Sequence, residues 1–178
     1  MSNGLSIANF TYILDIAAYV LVIVVGFILS RKRGDIGAGR ILAAIFIPVV
    51  GFVLEFFVIG NVFAPKDAGQ FMIMSAATYL MRIVCFVIAL LLFSGYFPSK
   101  PILVVLVILV FVYAARSLYT GKVMFGVNGF LNTKNDFYKV LIAFMNQPAA
   151  FTLSGYLCAY AMPIMLVIDA IGSSKNNR

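Results

Sequence analysis

Five long apolar runs dominate this chain and restrict what it can fold into: Ile7 to Ser30, Ile41 to Phe63, Phe71 to Gly95, Ile102 to Tyr119 and Pro148 to Gly172. A helix needs roughly 20 mostly apolar residues to cross ~30 Å of hydrocarbon, and each run is of that order. Soluble domains carry roughly 25% charged residues. Here 11% of residues are charged and 63% are hydrophobic, too little polarity to clothe a globule in water.

In lipid, only helices and closed barrels satisfy their own backbone. The alternation of polar and apolar residues that marks a barrel strand is missing throughout. The sequence therefore predicts an all-α fold, a polytopic transmembrane helical bundle of about five spans plus a short interfacial helix, forming a single membrane domain over residues 1–178. Even the Ile-, Leu- and Val-rich opening of the fourth run, which would argue strand in water, reads as a helix.

The punctuation agrees with these bounds. The first run has no basic segment before it, carries Asp15 and is followed by no small-residue cleavage pattern, so it is expected to be a retained span rather than a signal peptide. Ala64-Pro65-Lys66-Asp67-Ala68-Gly69-Gln70 closes the second run with turn chemistry. Tyr96-Phe97-Pro98-Ser99-Lys100-Pro101 combines aromatic anchors with prolines that end one helix and begin the next.

Thr120 to Asp136, rich in Gly and Asn yet containing Val123, Met124 and Phe125, reads as a loop at the interface. Phe137, Val140, Leu141 and Phe144 then follow helical spacing and make one apolar face. An interfacial helix over about 137–146 is expected, breaking before Pro148. Pro148 opens the last span at a favourable first-turn position, and Met162-Pro163 is expected to kink it.

Charge sets the orientation. Arg31, Lys32, Arg33 and Arg40 crowd the first loop and none precedes them, which places that loop in the cytoplasm, the N-terminus outside and, with five spans, the C-terminus inside. A plasma or bacterial inner membrane suits this pattern. The net charge of +7 and pI near 9.6 come from scattered anchors rather than a groove-tracking stripe, so nucleic acid is not an expected partner. The lipid bilayer is, together with other membrane subunits or further copies of the chain.

Histidine is absent, which removes imidazole from any metal, haem or acid–base site. Cys85 and Cys158 lie inside apolar runs, where cysteine behaves as a small hydrophobe, and two thiols make a poor metal cage. Gly34-Asp35-Ile36-Gly37-Ala38-Gly39 lacks the preceding strand and the Gly-Lys-Ser/Thr ending of a phosphate loop and reads as a cytoplasmic turn. No catalytic residues, cofactor or metal are expected.

The informative residues are charges within the spans. An unpaired charge at the bilayer centre costs at least ~2.5 to 3.5 kcal/mol. At 1.5 Å per residue, Asp15, Glu55, Arg82 and Arg116 fall in one layer in the outer half of the membrane, a neutral set of two acids and two arginines. Glu55 and Arg82 are the strongest pair, because a short turn makes their helices antiparallel neighbours. Arg116, near a span end, could instead snorkel to headgroups, and Asp15 could face outer water. Asp169, at the end of the last span, is expected simply to meet water.

Ser154, Gly155, Cys158 and Ala159 form a small-residue patch of the kind that lets helices pack closely. Two functional expectations follow. One is a non-enzymatic subunit of a larger membrane complex, of secretion, conjugation or energy-transducing type, with the charge layer fixing helices together. The other is a small ion, proton or solute channel or transporter that uses the layer as gate or relay.

Overall fold

The structure, a computed structural model, describes residues 7–33, 37–55, 65–126 and 136–176. All its regular elements there are helical: α1 (Ile7–Arg33), α2 (Ala38–Val53), α3 (Ala68–Ser94), α4 (Lys100–Phe125), α5 (Asp136–Met145), α6 (Pro148–Tyr156) and α7 (Met162–Asn176), the last two joined by a π-helical segment, Leu157–Ala161. The fold is an all-α bundle. Ala68–Ser94, Lys100–Phe125 and Pro148–Ser174 are each long and apolar enough to cross a membrane, and Ile16–Arg31 and Ala38–Val53 are shorter apolar helices. The second apolar run continues to Phe63, and its end lies outside the described residues.

Each helix terminus has a local cause. Asp67 caps α3 by accepting from the Gln70 amide at 2.8 Å, while the Gln70 side chain accepts from the Lys66 amide at 3.0 Å. This is a close variant of the reciprocal capping box. Gly95 ends α3 in the left-handed region at φ 67°, its N–H bonding the Leu91 carbonyl, a conformation glycine adopts without steric cost. Ser99 and Pro101 open α4. That helix runs on to Phe125, beyond the expected end of the fourth span at Tyr119. Thr120–Phe125 is therefore helix rather than loop, because the glycine that stops it is Gly126, at φ 75°.

Residue pairings give the direction of α1 to α4 and of the last helical run. Tyr19 meets Phe86 and Gly26 meets Phe93; both residues advance by the same two turns, so α1 and α3 run parallel along one seam. Gly51 faces Cys85 and Glu55 faces Arg82, making α2 antiparallel to α3. Tyr79 stacks on Tyr113 and Phe71 meets Phe125, making α4 antiparallel to α3. Cys158 reaches Leu109 and Phe151 reaches Arg116, turning the last helical run antiparallel to α4. The chain thus passes up and down in sequence, with α3 touching α1, α2, α4 and α7 at the centre.

The core follows from this. Tyr79, Phe86, Leu90 and Phe93 on α3 are fully buried, as are Val22, Leu118, Met162 and Leu166 from its neighbours. The outer surface is equally apolar: Val20, Val24 and Ile28 on α1, and Leu42 and Phe46 on α2, are exposed. Large exposed apolar surface on every helix is what a lipid solvent permits and water does not.

α5 is separate from the last helical run, divided from it by a turn at Asn146 and Gln147. Its Phe137, Val140 and Phe144 turn outward at 60% exposure or more. Tyr119 ties that turn to α4 by donating to Asn146 Oδ1 at 2.9 Å.

Candidate functional site: the polar groups inside the bundle

Gly51 sets the geometry of the first cluster. A Cβ there would lie 2.8 Å from Cys85 Sγ, so glycine lets α2 lie close against α3. One turn further along the chain, just past the end of α2, Glu55 then meets the middle of α3. Arg82 donates through Nε to Glu55 Oε2 at 3.0 Å and through Nη2 to Oε1. This two-pronged fork is the strong geometry for an arginine and a carboxylate.

α1 completes the cluster. Tyr19 donates its hydroxyl to Glu55 Oε2 at 2.9 Å, and its ring packs edge-on to Phe86 and Phe52 at 4.8 and 5.5 Å. The Arg82 guanidinium lies 5.9 Å from the same ring. The two charged side chains are only 6% and 10% exposed. The result is a buried cluster that ties three helices together.

Arg116 goes elsewhere. Its Nη1 donates to the Phe151 carbonyl and approaches Ser154 Oγ at 3.4 Å, and its guanidinium lies 3.8 Å from the Phe151 ring centroid. The expected four-charge layer is thus only partly assembled among the described side chains. Glu55 and Arg82 are joined, Arg116 is anchored on α6 by neutral groups, and the Asp15 side chain lies outside the described residues. The cause is Gly155: a Cβ at that position would sit 2.9 Å from Nη1, so the missing side chain opens the space the guanidinium fills.

The small-residue patch therefore serves more than helix-to-helix approach. Gly155 makes room for Arg116. Buried Ser154 donates to the Phe151 carbonyl at 2.7 Å. Cys158 is buried with its thiol directed at the Leu109 carbonyl, and Ala159 is half-buried beside it. Both cysteines are free thiols, and no group of metal-ligating side chains occurs among the described residues.

Proline explains the π-helical segment. Pro163 lacks an N–H and crowds the turn before it, and the helix widens over Leu157–Ala161, immediately upstream. A widened turn weakens its own carbonyl bonding in a medium that offers no substitute donors. Tyr79 supplies one, donating to the Cys158 carbonyl at 2.8 Å.

Asp169 corrects the expectation that it meets only water. Tyr96 donates to Oδ2 at 2.6 Å, and Ser99 contributes its amide at 3.2 Å and its hydroxyl at 3.3 Å. The carboxylate thus fastens the end of the last helix to the start of α4, where a negative charge also suits the helix N-terminus. Burial, then the bond to Asp169 and that carboxylate's charge, raise the Tyr96 phenol above its ordinary value.

Of the basic first loop, Arg31 is exposed with its guanidinium over the Phe27 ring, and Arg40 is exposed. The side chains of Lys32 and Arg33, and residues 34–36 of the glycine-rich turn, lie outside the described residues.

Sequence reasoning on charges alone missed Tyr19, Tyr79 and Tyr96. A usable signal was present, since a tyrosine within an apolar run must find an acceptor for its hydroxyl when buried. Compared with models of protein families, with curated proteins and with solved structures, the chain matches none.

Proposed function

We propose that the chain is a non-enzymatic integral membrane subunit of a larger membrane complex, of secretion, conjugation or energy-transducing type. The observation that carries this reading is the buried Tyr19–Glu55–Arg82 cluster that joins three helices. A gate or relay needs ionisable groups with capacity left for a substrate. Here the fork of the guanidinium and both carboxylate oxygens are engaged with one another, which suits a clamp between helices.

Two further features support it. The cysteines face carbonyl and glycine neighbours rather than each other, and the exposed surface is apolar along every helix. In this reading the first loop and the C-terminus are cytoplasmic and the N-terminus is outside. α5 lies in the outer interface with Phe137, Val140 and Phe144 in the lipid.

Gentle detergent extraction from the native membrane, followed by mass measurement of the intact particle, tests the assignment. The expected result is a particle containing other proteins in fixed ratio. A homo-oligomer that conducts ions or solute after reconstitution would replace the subunit reading with the channel.

A further inference from the structure

We infer that Arg116 forms a binding site for the phosphodiester of an anionic phospholipid in the leaflet contacted by the α4–α5–α6 end of the bundle. The inference rests on the chain lying in a bilayer and not on the subunit assignment.

Arginine carries N–H donors on Nε, Nη1 and Nη2 in a fixed planar fork. Both polar contacts of Arg116, to the Phe151 carbonyl and to Ser154, come from Nη1. Among the described residues no fully buried side-chain nitrogen lacks a partner, so Nε and Nη2, which make no such contact, are not sealed inside the half-buried site. Every group holding the guanidinium is neutral: a carbonyl, a hydroxyl and an aromatic face. The cation is thus fixed in place and left without a counter-charge among the described residues.

The depth selects the ligand. With Lys100 opening α4 at one hydrocarbon boundary, Arg116 stands ~24 Å along a ~30 Å layer. It therefore lies ~6 Å inside the opposite boundary, within reach of headgroup phosphates for a long side chain. One turn further out, Tyr119, an aromatic of the kind enriched at the interface, bonds Asn146 in the α5–α6 turn. A guanidinium edge matches a phosphate by two parallel hydrogen bonds. Anionic lipids are preferred over zwitterionic ones because a choline group already neutralises its own phosphate.

The test uses intact protein in detergent micelles holding equal phosphatidylglycerol and phosphatidylcholine, with retained lipid read by native mass spectrometry. Wild type should retain phosphatidylglycerol with a preference of roughly tenfold, the scale of one charge-assisted hydrogen bond. Arg116→Gln should abolish the preference, and Arg116→Lys, which keeps charge but not the fork, should reduce it. Soluble glycerol phosphate should not displace the lipid. Equal retention of both lipids by wild type overturns the inference without any variant. So does an undiminished preference in a folded Arg116→Gln protein, or displacement by glycerol phosphate, which would make the site one for soluble anions.

Discussion

Removing Glu55 alone isolates what the buried pair contributes. In Glu55→Ala the Arg82 side chain, 6% exposed, keeps its charge, since a guanidinium pKa stays above ~12. Breaking a buried pair from one side costs ~3 to 5 kcal/mol, and loss of the acceptor for Tyr19 adds about 1 kcal/mol. At 1.4 kcal/mol per decade, this lowers the folded-to-unfolded ratio by more than about 100-fold.

Glu55→Leu combined with Arg82→Leu removes both charges and fills the space with apolar groups, a change that is often near neutral. The assay is reversible unfolding in mixed micelles for the wild type, Glu55→Ala, and the Glu55→Leu, Arg82→Leu and double variants, the last three closing a mutant cycle with wild type. The double variant should recover most of the stability lost by either single one. A double variant no more stable than Glu55→Ala would refute the reasoning. One that folds and assembles but has lost a measurable flux would transfer the pair from architecture to transport.

Other substitutions probe the remaining contacts. Gly155→Val drives atoms into the place held by Arg116 Nη1, 2.9 Å from an ideal Cβ. It should cost ~1 to 3 kcal/mol by overpacking, read as a lowered unfolding midpoint, with Gly155→Ala milder. Tyr79→Phe removes the donor to the Cys158 carbonyl and should cost about 1 kcal/mol. Hydrogen exchange over Leu157–Ala161 should quicken, and unchanged exchange would show that the phenol does not support the widened turn.

The Tyr96 phenol is held neutral by burial and Asp169. Its contribution to stability is therefore complete below the unfolded tyrosine value near ~10 and is lost as pH climbs through the higher folded value. The tyrosinate absorbance of wild type minus that of Tyr96→Phe should show the delayed titration, and Asp169→Asn should advance it.

How much of this was legible in the sequence depends on the range of the physics involved. Apolar runs report burial in lipid directly, so helix class and the alternating passage of the chain could be read from composition and spacing. The Glu55–Arg82 pair was legible because a short turn limits how far two adjacent helices can slide. Arg116 was not, because its partner is a main-chain carbonyl, and every residue has one of those. What selected Phe151 was the missing Cβ at Gly155, a packing fact between helices distant in sequence. Asp169 was misread for a related reason: its partners Tyr96 and Ser99 lie some 70 residues earlier, brought near only by the parallel course of α3 and the last helix.

Tyrosine links these cases. In an apolar helix a buried hydroxyl has no water to fall back on, so it must be spent on a protein acceptor. Tyr19 goes to Glu55, Tyr79 to the Cys158 carbonyl and Tyr96 to Asp169, while the more exposed Tyr119 bonds Asn146. Each joins a different pair of elements, and together they run from one end of the bundle to the other. The charges state where polarity is expensive, while the hydroxyls mark which helices are fastened at that cost. Tyr79 shows the distinction most clearly, because the carbonyl it serves belongs to a segment that proline has widened. A phenylalanine there would preserve every ring contact and still leave that carbonyl short of a donor.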